Sequence, residues 1–67
     1  MGGDTEGIRE RLELIAEELA DLAIEALRAA VEGGEERRPA AEKRLTQARR
    51  AVEKAAGLLK ERESDGF

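Results

Sequence analysis

No cysteine and no histidine occur among the 67 residues, and the only aromatic side chain is one phenylalanine. Without thiols there is no disulfide, and without thiols or imidazoles the common zinc sites are closed. A di-iron carboxylate bundle is excluded by the same gap, because it needs Glu-x-x-His pairs. Nucleophilic and acid–base catalysis lose their usual groups as well. The only serine is Ser64, at an expected helix end, and Thr5 and Thr46 have no histidine to activate them. Carboxylates are plentiful, but a catalytic carboxylate needs burial or a charged neighbour to shift its pKa, and these line open helix faces. Glu10, Glu13, Glu17 and Glu18 offer weak attraction for hard cations, without the alternating oxygens and central glycine of a calcium loop. The expectation is a chain that is not an enzyme and holds no cofactor and no metal.

Long apolar runs are also missing. The longest are three residues, such as Leu22-Ala23-Ile24, against the roughly 20 needed to span a bilayer. No basic start leads into an apolar stretch, so no secretory signal is expected and the default location is cytoplasmic. The glycine pairs Gly2-Gly3 and Gly33-Gly34 fit neither GxGxxG nor GxxxxGK[ST], the patterns that cradle phosphates.

What is present is charge, at 42% of residues, set in a background of Ala, Glu, Leu and Arg. Such a charge content can accompany disorder, but this composition is that of long helices and coiled coils. Arginine outnumbers lysine and asparagine is absent, a bias of GC-rich bacterial genomes, so a small bacterial protein is expected. Residues 1–67 are expected to form a single all-α domain, an antiparallel two-helix hairpin. The Gly-rich lead-in Met1 to Asp4 is expected to fray, with Asp4 or Thr5 capping a first helix over about 5–32. Its seam is Ile8, Leu12, Ile15, Leu19 and Leu22, at the 4,3 spacing of a helix face, continued by Ala26 and Ala29 or Ala30. Gly33-Gly34 stops it, and a turn over 33–38 follows. Pro39 belongs to the first turn of a second helix, about 38–63. The second seam is Ala41, Leu45, Ala48, Val52, Ala55 and Leu59, with Gly57 on the opposite face and Ser64-Asp65-Gly66 as the stop. The bulky residues Leu12, Ile15, Leu19 and Leu22 are expected to pack on Leu45, Val52 and Leu59.

A second apolar stripe, Ala20, Ile24, Leu27 and Val31, lies roughly 100–140° around the first helix. One partner helix cannot cover both stripes, and burying each of Ile24, Leu27 and Val31 is worth about 1.5–3 kcal/mol. A chain this short is marginal without disulfides, metal or oligomerisation, and only the last remains. Ile24, Leu27 and Val31 are therefore expected to carry self-association, giving a homodimeric four-helix bundle. An unidentified protein partner is the other candidate cover. The function so implied is a non-catalytic structural or protein-interaction module.

Charge is divided between the helices. Residues 1–33 carry nine acids and three bases, and residues 34–63 carry six acids and nine bases. Glu13, Glu17, Asp21 and Glu25 form an acidic ridge whose like charges repel by a few tenths of a kcal/mol per pair. Lys43, Arg50 and Lys54 line the second helix, with Arg49 beside them. Those four are the contacts expected of the alternative reading, a small nucleic-acid-associated regulator. The acidic total of −4 and the near absence of aromatic stacking platforms oppose it, and an acidic polar face opposes membrane-surface binding. In outline, a dimerising hairpin of this length is similar to small bacterial RNA-regulating hairpins of the Rop type, and to small helical subunits of larger enzymes. That likeness is one of architecture and carries over no functional residue.

Overall fold

A computed structural model describes residues 2–65, with side chains described for 4–60. Two helices, α1 (Gly2–Glu32) and α2 (Ala40–Asp65), pack antiparallel as a hairpin. The Cα trace measures 53 × 15 × 11 Å, a flat layer one helix thick. Ala, Leu, Glu and Arg dominate both segments, and these residues lose least on entering a helix. Helix α1 begins at Gly2, three residues before the expected start, so Asp4 lies inside its first turn rather than at a cap. An acidic group there still favours the helix through the backbone dipole. Met1 and the expected stop at Gly66 lie outside the described residues, and α2 continues through Asp65.

The end of α1 is a Schellman motif. Gly34 N–H donates to Val31 O at 3.0 Å, and Glu35 N–H donates to Ala30 O at 2.9 Å. This crossing pair satisfies carbonyls that the helix end would leave open. It requires a left-handed residue, and Gly34 supplies it with φ = 89°. Gly33 is still helical in its bonding, donating to Ala29 O at 3.0 Å. Pro39 sits one position before α2, where its carbonyl accepts the first helical bond, from Lys43 N–H at 3.2 Å.

The helices meet through a seam different from the one expected. In α1 the buried residues are Ala16, Ala23 and Ala30, with Arg9, Leu12, Leu19 and Ala26 half-buried between them. In α2 they are Glu42 and Ala56, with Leu45, Arg49, Val52 and Leu59 half-buried. Ile15 keeps 44% and Leu22 49% of their surface, and Ile8 is exposed. Ala29, Ala41 and Ala48 are exposed too. The expected packing of Ile15 and Leu22 inside the hairpin is therefore corrected. The cause is a degeneracy: two sets of positions keep the 4,3 spacing in α1 and share Leu12, Leu19 and Ala26. The set with alanine at 16, 23 and 30 lets the backbones approach more closely. Gly57, expected on the far face, is half-buried beside the seam, where it lines a groove with Ala16 and Ala56.

Three glycine substitutions test these assignments by thermal unfolding followed by circular dichroism. Gly34→Ala should destabilise by about 1–2 kcal/mol, because a Cβ opposes the left-handed conformation. Gly33→Ala should be close to neutral, its Cβ meeting only Ala29 O at 3.4 Å and Ala30 O at 3.6 Å. Gly57→Ala should stabilise by about 1 kcal/mol, since nothing lies within 4 Å of the added carbon.

Candidate interaction surface

The large apolar side chains are not used up by the hairpin. Among the described residues the buried apolar set is four alanines, and no large side chain is fully buried. Ile8, Leu14, Ile15, Leu22, Ile24, Leu27, Val31 and Leu58 all stand exposed. Their arrangement follows from the wheel of each helix. Ile8, Ile15 and Leu22 fall on one side of the α1 seam, and Ile24, Leu27 and Val31 on the other.

Two grooves between the helices show which side of α2 belongs with each. One, an open groove of about 490 Å³, joins Glu13, Ala16, Glu17 and Ala20 to Arg49, Glu53 and Gly57. The second joins Ala20, Ile24 and Leu27 to Glu42, Thr46 and Arg49. The expected self-association residues Ile24, Leu27 and Val31 are thus open, and Ile24 and Leu27 share their face with a polar edge of α2. The remaining flanks must emerge together on the opposite face. There, Ile8, Ile15 and Leu22 of α1 share a face with Ala41, Ala48 and Ala55 of α2. Of the eight exposed large residues, three share a face with the polar edge, three share a face with a row of alanines, and Leu14 and Leu58 lie on the outer sides of their helices.

The polar edge is built around Glu42, 7% exposed in the first turn of α2. Arg38 Nε donates to its Oε1 at 2.6 Å and Arg38 NH2 to its Oε2 at 2.9 Å. Thr46 Oγ1 donates to Oε2 at 2.8 Å. A two-pronged guanidinium contact of this kind is among the stronger polar interactions. It ties the connection between the helices to the start of α2. The Arg38 and Thr46 hydrogen bonds hold the Glu42 carboxyl below the usual carboxylate range, against the opposing effect of burial. The spacing of 38, 42 and 46 was visible in the sequence, but which of many such i,i+4 sets would be drawn into the seam was not.

The four expected nucleic-acid contacts separate. Lys43, Arg50 and Lys54 are exposed on the outer side of α2. Arg49 is half-buried in the groove, with its NH1 donating to Glu53 Oε2 at 2.8 Å. Arg9 fills the matching role at the start of the α1 seam, its guanidinium 3.0 Å from Glu13 and 3.7 Å from Glu6. Both arginines are half-buried while their charged ends reach carboxylates. Among the described residues no group of three or more acidic side chains is placed to hold a metal ion. No helix among them is long and apolar enough to cross a membrane. Comparison with protein-family models, curated proteins and solved structures returns no match.

The Glu42 cluster has a pH signature whose sign follows from its lowered pKa. The stabilisation is full above the unfolded carboxylate value, near 4.3, and is lost as pH falls through the lower folded value. Glu42→Gln should lower the melting temperature by a few degrees at neutral pH. The gap between variant and wild type should close as pH falls below the ordinary glutamate value and through the lowered folded one. A gap that stays constant across a melting series in pH would show that the carboxylate charge plays no part.

Proposed function

We propose that this chain is a non-catalytic protein-interaction module that self-associates through its apolar helix faces, forming a homodimeric four-helix bundle. One observation carries the reading: among the described residues not one large apolar side chain is fully buried, and eight are exposed. Stable domains enclose a core between two packed layers, and this hairpin is one layer. Each large side chain moved out of water adds about 1.5–3 kcal/mol, so a second layer supplies stabilisation that the hairpin alone lacks. The chain offers no cysteine and no histidine to supply it otherwise.

A second reading, a small nucleic-acid-associated regulator, draws support from the exposed line of Lys43, Arg50 and Lys54. Arg49, turned into the groove, adds nothing to that line. Phosphate contacts would make such binding fall steeply with salt.

Light scattering over a wide concentration range tests the first reading. The expected result is a particle of twice the chain mass, or four times if bundles pair, that separates only on strong dilution. A helical particle of single-chain mass at every concentration would overturn it.

A further inference from the structure

The direction in which the bulky residues point identifies where a second layer sits. Along α1, Leu12, Ile15, Leu19 and Leu22 are centred roughly 50° away from the line joining the two helices, taking 100° per residue. Along α2, the row through Ala48, Val52 and Ala55 is offset by roughly 60°. The grooves described above fix both offsets to the same face, the one opposite Glu42, Thr46 and Arg49. In a square bundle of four helices, every helix directs its apolar stripe about 45° off the line to each neighbour, toward the central axis. The hairpin has that geometry before any partner is added.

We propose that a second copy of this chain packs on this face, with its α1 over the first copy's α2 and both turns at the same end. This rests on the self-association reading and adds to it the face and the orientation. Three observations select the occupant and its pose. The face is long enough: over the 26 residues of α2, about 39 Å, two helices each about 10 Å wide present roughly 800 Å², the share per partner of a standard stable interface. Its two halves differ in volume, with Ile15 and Leu22 on α1 level with Ala55 and Ala48 on α2 and only Val52 between those alanines. Laying α1 over α2 sets large against small along both helix pairs, as interdigitated layers require. Laying α1 over α1 would crowd large on large along one edge and leave alanine facing alanine along the other. Charge agrees, since residues 1–33 are net acidic and residues 34–63 net basic. The opposite face is the poorer interface. Covering Ile24 and Leu27 there would also strip water from the Glu42 cluster and the Arg49–Glu53 pair, a cost that apolar contact must first offset.

Two readouts test face and pose separately. Leu22 and Leu27 flank the hairpin seam and keep 49% and 39% of their surface open, so a variant charged at either should remain helical. Leu22→Glu should raise the dimer dissociation constant by roughly 100-fold or more, and Leu27→Glu by less than about threefold. The reverse order would overturn the face while leaving self-association standing, whereas a single-chain mass for the wild type would remove both. For the pose, Glu18→Cys and Ala51→Cys place the only thiols on the rims of α1 and α2. A short bis-maleimide should join a mixture of the two variants into heterodimers and leave Glu18→Cys alone largely unlinked. Efficient linking of Glu18→Cys to itself, with little in the mixture, would place α1 over α1 and overturn the orientation.

Discussion

Two helices can lie close only where the side chains between them are small, and here the contact line is set by Ala16, Ala23, Ala30 and Ala56. Close approach brings many weak dispersion contacts together, but it also displaces the large residues to the edges. Leu12, Leu19, Leu45, Val52 and Leu59 are left half-buried, and Ile15 and Leu22 more open still. The same alanines that hold the hairpin together therefore prevent it from enclosing a core. Its stability and its surface chemistry become one question, because the residues not used inside are the ones available to a partner.

Polar chemistry fixes the geometry that the alanines leave loose. An alanine seam has little shape to set register. The turn supplies it through the left-handed Gly34 and the paired bonds from Gly34 and Glu35 back into α1. The Arg38–Glu42–Thr46 cluster then ties the end of the connection to the first turns of α2. These groups also occupy one face of the layer, so they divide it into a face with polar neighbours and a face of Ile, Leu and Ala. A hairpin with two different faces can present one to a copy of itself and the other to solvent.

The two helices and the turn were legible in the sequence, because Gly33-Gly34 and Pro39 punctuate two strongly periodic segments. The angle between periodicity and contact was not. A 4,3 pattern places Leu12 and Leu19 on a face, but it does not say whether that face looks at the nearest helix or at the centre of a larger bundle. The wide apolar sector of α1, from Ile15 and Leu22 round to Ile24 and Val31, satisfies either. The burial of Glu42 and the half-burial of Arg49 were not legible for a related reason. Long polar side chains near a seam resemble a solvated ridge until their stems and partners are seen. The expected division between Ile24, Leu27 and Val31 outside and Ile15 and Leu22 inside is not the one observed: both sets are exposed, on opposite flanks of the α1 seam.

Under the proposed self-association the exposed large side chains leave water only against a second layer, so association adds to the stability of the fold. The most direct measurement is the urea midpoint of unfolding as a function of protein concentration. If association completes the core, the midpoint rises steadily with concentration by mass action. A cooperative transition whose midpoint is the same at every concentration would mean that the single hairpin is stable by itself, contradicting the account.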